Sequence, residues 1–199
     1  MTEYQFTKDW FNWAPEVWTQ LIPLLPGEPG TRSFLEIGSF EGRSSVWIIE
    51  NMMTEGDYLA CVDTWQGGEE HGEEDMGSVE KRFEYNRSLA TAKRKVTVTG
   101  VKAKSIEYLG EVLMEGDDKI TFDFIYIDGS HIAKDVLTDA CMAWPLLKSK
   151  GLMVFDDYMW GNPRDILHRP KPAIDAFCNL FAEEAEIIHV GYQLVVRKK

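Results

Sequence analysis

Short apolar runs alternate along the chain with segments in which apolar side chains recur every three or four residues. The runs Ser33 to Ile37, Tyr58 to Val62, Lys95 to Val101, Phe122 to Ile127 and Leu152 to Phe155 read as strands. They are brief and mostly apolar on both faces, as parallel strands covered by helices on each side must be. Between them, Ile132, Val136, Ala140, Ala143, Trp144 and Leu147 fall at helical steps and lead into Lys148 and Gly151. Ile174, Phe177, Cys178 and Phe181 mark a second helical face, and Gly42 to Met53, Ser78 to Ala92 and Ser105 to Leu113 predict three more helices.

Five strand-then-helix repeats imply a parallel, doubly wound α/β sheet with right-handed crossovers. The tail breaks this rhythm: Ala185 to Val190 and Tyr192 to Arg197 are strand-like runs meeting near Gly191, which predicts an antiparallel hairpin at one sheet edge. The expectation is therefore a mostly parallel, seven-stranded, Rossmann-like sheet. Residues 1–32 precede it as a helical and aromatic segment with Trp10, Phe11, Trp13 and Trp18, interrupted by Pro23, Pro26, Gly27, Pro29 and Gly30. Residues 33–199 form the core, and no linker separates a second domain.

Composition narrows the class. A chain of 199 residues that is 44% hydrophobic can bury one sizeable core. No apolar run approaches the roughly 20 residues of a membrane span, and no basic-then-apolar leader opens the sequence, so a cytoplasmic protein is expected. Cys61, Cys141 and Cys178 are few and widely spaced, which suggests buried thiols and no disulfide framework. A net charge of -12 disfavours nucleic acid and anionic membranes as partners and favours a small or neutral substrate. Part of that charge lies in Glu69 to Asp75, read as a solvated loop or a lid. Asn86-Arg87-Ser88 matches a glycosylation pattern, taken as chance without a secretion signal. The aromatic N-terminal segment is either a cover for the core or the surface of a homo-oligomer.

Ligands in open parallel sheets bind at the carboxyl ends of the strands, which directs attention to Glu36-Ile37-Gly38-Ser39-Phe40-Glu41-Gly42. Gly38 and Gly42 permit a sharp turn and close backbone approach, although the same spacing also serves a plain strand-to-helix turn. It is not a dinucleotide fingerprint. Glu36 and Glu41 should oppose a pyrophosphate and welcome a cationic ligand, which weighs against an NAD-dependent oxidoreductase. Asp63 ends the second strand, where an acid can hold ribose hydroxyls. Trp65 is placed beside the nucleoside or in the core, and Ser105 where an adenine would lie.

Phe34 to Ser45, including Ser39 and Ser44, together with Cys61-Val62-Asp63-Thr64-Trp65, resembles the first two motifs of class I methyltransferases. The resemblance implies S-adenosylmethionine as cofactor, with Asp63 on its ribose and the Gly38 loop near its methionine part. It also implies that Asp128, Asp156 and Asp157, each at a strand end, converge beside the reactive end of the cofactor. Three desolvated carboxylates repel one another unless a cation bridges them, so Mg²⁺ or another hard divalent ion is expected. The alternative, that these aspartates only cap turns, stays open.

Ile127-Asp128-Gly129-Ser130-His131 with Phe155-Asp156-Asp157-Tyr158 is similar to metal-dependent sugar O-methyltransferases of the macrocin and cephalosporin hydroxylase-like type. That likeness implies metal held by Asp128, Asp156 and Asp157, and methyl transfer to one hydroxyl of a vicinal diol. Those relatives commonly carry Asp-Gly-Asp-His, and here Ser130 replaces the second acid. His131 is then the candidate base or substrate contact, with a structural role at a helix start as its alternative. A metal-independent methyltransferase and a non-catalytic cofactor-binding module are the competing functions.

Overall fold

A computed structural model describes residues 3–68 and 75–199. Seven strands form one sheet: β1 (Ser33–Ile37), β2 (Tyr58–Asp63), β3 (Thr97–Lys102), β4 (Phe122–Ile127), β5 (Leu147–Phe155), β6 (Ala185–Val190) and β7 (Leu194–Lys198). Their order is β3-β2-β1-β4-β5-β7-β6. β1 to β5 run parallel, and β7 pairs antiparallel with both β5 and β6. The expected sheet and its terminal hairpin are present.

Among the described residues six α-helices cover the faces: α1 (Ala14–Leu21), α2 (Arg43–Asn51), α3 (Met76–Thr91), α4 (Ser105–Met114), α5 (Ala133–Ala143) and α6 (Lys171–Leu180). Strand alternation divides the core in two. Leu35, Ile37, Ile125 and Ile127 face one way and pack with Leu109, Val136, Ala140, Ile174 and Phe177 of α4 to α6. Phe34, Phe124 and Tyr126 face the other way and meet Trp18, Ile48, Ile49 and Phe83 of α1 to α3. Trp18 is fully buried and sets its ring edge-on to Phe124 and Tyr126 at 5.3 and 4.7 Å. Part of the N-terminal aromatic segment is thus core.

Boundaries differ from the sequence reading where polar residues hide a strand or proline ends a helix. β5 starts at Leu147, because half-buried Lys148, paired with buried Asp123 at 2.7 Å, and exposed Ser149 and Lys150 continue the strand before Gly151. α5 stops at Ala143, where Trp144–Leu146 tightens into a 3₁₀ turn around Pro145, which lacks the N–H an α-helix needs. Among the described residues no helix is long and apolar enough to cross a membrane. The acidic stretch beginning at Glu69 lies outside the described residues except for Asp75, which flanks α3 and accepts the Ser78 hydroxyl at 2.5 Å.

Candidate active site

The central strands extend their ladder by one residue: Gly38 N–H donates to Val62 O (2.8 Å), Asp128 N–H to Ile37 O (2.8 Å) and Asp156 N–H to Ile127 O (3.0 Å). This sets Gly38, Asp128 and Asp156 at neighbouring positions along the carboxyl edge. β1 lies between β2 and β4, and chain order reverses there, so a crevice opens beside it. A cavity of about 1080 Å³ occupies this place. Gly38, Ser39, Ser44, Asp63, Ser105, Asp128, His131, Asp156 and Asp157 line it.

Gly38 sits at φ +85°, and a Cβ there would lie 2.0 Å from Asp128 O. No side chain fits between the first loop and the end of β4. Gly42, at φ +78°, begins α2 behind the cavity wall, where a Cβ would meet the Phe83 ring at 2.9 Å. Its role in this structure is to turn the chain. Asp63 ties the loop down: Oδ2 accepts the N–H groups of Ser39 and Phe40, both at 2.9 Å, and Oδ1 accepts Trp65 N–H at 2.7 Å. A carboxylate offers about four acceptor positions, so these three bonds leave little of Asp63 unengaged. Trp65 packs on Phe83 with ring centroids 4.7 Å apart and donates its indole N–H to Phe40 O at 2.9 Å. Its ring therefore lies in the core, away from the cavity wall.

The two loop glutamates correct the charge argument drawn from sequence. Glu36 points away from Leu35 and Ile37 and is fully buried, outside the cavity lining. Its Oε2 accepts the Ser39 hydroxyl at 2.8 Å and the Ser45 hydroxyl, and burial raises its pKa while Ser44, Ser45 and Ser39 oppose the shift. It braces the loop from below. Glu41 accepts Thr7 N–H (2.6 Å), the Thr7 hydroxyl (2.7 Å) and Arg82 Nε–H (2.5 Å). It therefore fastens the N-terminal segment to the loop, helped by Asn86, which accepts Gln5 N–H and donates to Gln5 O. Glu41→Gln should cost about 1–3 kcal/mol, the scale of hydrogen bonds to a charged group. Hydrogen exchange should show the Thr7 amide opening faster, and unchanged protection there would contradict this role.

At the other end, Asp128, His131 and Asp157 each bring one ligand atom within 4.8 Å of the others. His131 Nε2 lies 2.6 Å from Asp157 Oδ2, and the His131 ring rests on Trp160 at 4.3 Å. Asp157 adopts φ +55°, a left-handed conformation that Asp tolerates better than most residues. That turn separates it from its neighbour. Asp157 faces His131 and takes the Tyr192 hydroxyl on Oδ1 at 2.9 Å, whereas Asp156 is held by protein donors. Asp156 accepts the Tyr126 hydroxyl, Gln193 Nε2–H at 3.2 Å and Asp157 N–H at 2.7 Å. Gln193 is oriented in turn by the Trp18 indole, which donates to its Oε1 at 2.8 Å. The acids and imidazole that converge within 4.8 Å are Asp128, His131 and Asp157, while Asp156 also lines the cavity and shares the Tyr126 hydroxyl with Asp128.

Burial pushes the Asp128 carboxyl well above the usual range, and the charges of Asp156 and Asp157 push it further. Asp156 is raised to about 6 by burial and by Asp157. Tyr126, also raised by burial, sets its single hydroxyl between the two carboxylates, 2.9 Å from Asp128 and in contact with Asp156, so that one proton is shared between them. Ser130 ties together the turn before α5, its hydroxyl donating to Asp135 at 3.1 Å and accepting Ile132 N–H at 3.1 Å. Tyr126 escaped the sequence reading, although a phenol two residues before Asp128 on the same strand shares its face. Gln193 carried no such signal, since its partner Trp18 is 175 residues away. Trp160, packed on His131, and Tyr192, packed on Trp13 at 5.0 Å, line the cavity at this acidic end, whereas Trp10 lines it beside Phe40 of the first loop at 5.1 Å.

A family profile described as a methyltransferase domain matches residues 35–158. The fold is shared with an O-methyltransferase from Bacillus cereus solved with S-adenosylhomocysteine, at 18% identity and a TM-score of 0.64, covering 100% of this chain and 84% of that one. It is shared with TomG from Streptomyces achromogenes, an O-methyltransferase of tomaymycin synthesis solved with S-adenosylmethionine, at 17% identity and a TM-score of 0.64, covering 90% and 76%. It is also shared with MycE of the mycinamycin pathway, solved with Mg and S-adenosylhomocysteine, at 16% identity and a TM-score of 0.58, covering 99% and 51%. Curated proteins give no match.

Proposed function

Because the chain belongs to the methyltransferase-domain family, and is thus an S-adenosylmethionine-dependent methyltransferase, we propose that it methylates a hydroxyl of a small, ring-bearing vicinal diol with the aid of a divalent cation. One observation carries this reading: Asp128, His131 and Asp157 converge within 4.8 Å at the end of the cavity beside Gly38. The narrower likeness to macrocin-type sugar O-methyltransferases rests on the Asp128-Gly129-Ser130-His131 and Asp156-Asp157 segments.

The donor set fits a divalent ion. Burial first, and the charges of Asp156 and Asp157 after it, raise the Asp128 carboxyl, and a bound cation would offset both. Asp128, His131 and Asp157 would hold it. Imidazole beside two carboxylates admits Mn²⁺ or another first-row ion as readily as Mg²⁺. When bound, the ion would draw two neighbouring acceptor oxygens together and lower the pKa of one. Tyr126 and Tyr192 orient Asp128 and Asp157 by hydrogen bonds, as outer partners of metal ligands do. Gly38 lets the loop backbone approach the donor closely, and Asp63 fixes that loop. Trp13, Trp160 and Tyr192 offer apolar faces to an acceptor ring, and an aromatic face suits either a sugar or an arene.

The 2.6 Å His131–Asp157 contact favours a second reading without metal. There Asp157 orients the imidazole, and His131 takes the acceptor's proton as general base. Chelator separates the two. With catechol and a methyl glycoside bearing a vicinal diol as acceptor probes, activity should vanish in EDTA and return with Mg²⁺ or Mn²⁺. Turnover indifferent to EDTA would exclude the metal and leave the His131–Asp157 pair.

A further inference from the structure

Tyr192 and Gln193 stand side by side in the turn between β6 and β7, and they engage two acids that are also neighbours in sequence. The Tyr192 hydroxyl donates to Asp157, and Gln193 Nε2–H donates to Asp156 Oδ2 at 3.2 Å. Gly191 N–H closes the turn on Gln193 O at 2.8 Å. Gln193 is 2% exposed and lies outside the cavity lining, although Tyr126, Asp128 and Asp156 line it. A buried amide is costly unless its polar ends are matched, and an apolar side chain of the same size would pack without that cost.

Trp18 matches one end. Its indole N–H, which can only donate, lies 2.8 Å from Gln193 Oε1. That settles which way the amide faces: the oxygen turns to Trp18, so the NH₂ group turns to Asp156. The indole is itself fully buried, edge-on to Phe11, Trp47, Phe124 and Tyr126 with centroids 4.7 to 5.6 Å away. Trp18 thus touches both side chains that bond Asp156 Oδ2, the Gln193 amide by its N–H and the Tyr126 phenol by its ring. The one Tyr126 proton is shared between Asp156 and Asp128. With Asp157 N–H on Oδ1 and Gln193 on Oδ2, Asp156 stays partnered when that proton goes to Asp128.

We infer that Gln193 is a positioning residue for methyl transfer, its amide set by Trp18, and that it holds Asp128 in place through Asp156 and Tyr126. This rests on the reading of Asp128 as part of the cation-holding end of the site. Neither Gln193 nor Trp18 lines the cavity, so each acts by keeping an acid in position.

Gln193→Met keeps the volume and removes the donor, so the fold should survive. Well below its melting temperature, this variant should turn over catechol or a methyl glycoside bearing a vicinal diol about 10- to 100-fold more slowly, the usual effect of losing an outer partner of a metal ligand. Affinity for S-adenosylhomocysteine should stay within about two-fold, while Mn²⁺ affinity falls about ten-fold. Trp18→Phe frees the amide to rotate and should slow turnover about 3- to 10-fold, the worth of one neutral hydrogen bond. The double variant should lie within about two-fold of Gln193→Met alone, because Trp18 acts through Gln193. Should Trp18→Phe fail to fold, the turnover and Mn²⁺ affinity of Gln193→Met still decide the matter. A Gln193→Met protein that melts earlier but keeps both would overturn the inference and leave Gln193 as packing between the hairpin and β5. Losses that multiply in the double variant would overturn the part given to Trp18. Absence of both turnover and Mn²⁺ binding in the unaltered protein would instead remove the reading of the site, and this inference with it.

Discussion

Asp157→Asn is expected to lower methyl-transfer turnover by about 10³-fold while leaving affinity for S-adenosylhomocysteine within about two-fold, since loss of several kcal/mol of charge stabilisation corresponds to that rate. The substitution is nearly isosteric, and Asn tolerates the left-handed backbone at φ +55° as well as Asp does. The fold should therefore survive. What disappears is the negative charge 2.6 Å from His131 Nε2 and opposite Asp128. If a cation is held there, one of its charged ligands is lost; if His131 is the base, its orienting partner is lost. Single-turnover kinetics with saturating donor separates this from a binding defect. A variant with unaltered turnover would remove Asp157 from the chemistry under both readings.

Gly38→Ala should destabilise the protein by roughly 3–5 kcal/mol and abolish donor binding, combining left-handed strain with a clash that only backbone movement relieves. The added Cβ would stand 2.0 Å from Asp128 O and 2.7 Å from Gly129 Cα, all backbone atoms. Moving them displaces both the cofactor loop and Asp128. Gly116 provides the control. It also has positive φ, at +67°, but a Cβ there meets nothing within 4 Å. Gly116→Ala should cost about 1–2 kcal/mol from left-handed strain alone. Thermal denaturation and calorimetric titration of both variants check the pair, and equal losses would show that the close approach at Gly38 carries no weight.

The sheet was legible because buried parallel strands write themselves as apolar runs, and strand-end acids such as Asp63, Asp128, Asp156 and Asp157 stand out against them. Periodicity also placed the Gly38 turn. What sequence could not convey was the direction of individual side chains. Glu36 read as a charge inside the loop, yet strand alternation turns it beneath α2 onto three serines. Asp156 and Asp157 read as a pair, yet one left-handed residue sends them to different partners. His131 entered as a base and stands among the possible metal ligands. Trp65 packs in the core against Phe83. The Trp18–Gln193–Asp156–Tyr126–Asp128 chain joins α1, the terminal hairpin, β5 and β4 through contacts with no local signature.

The most direct test of the account is titration of Mn²⁺ into the protein saturated with S-adenosylhomocysteine, followed by loss of the free-ion resonance signal. Asp128, His131 and Asp157 predict one saturable ion per chain, weakened at least about ten-fold in Asp157→Asn, as expected when a ligand is lost. Absence of saturable binding, or binding that Asp157→Asn leaves untouched, would contradict a cation at this site.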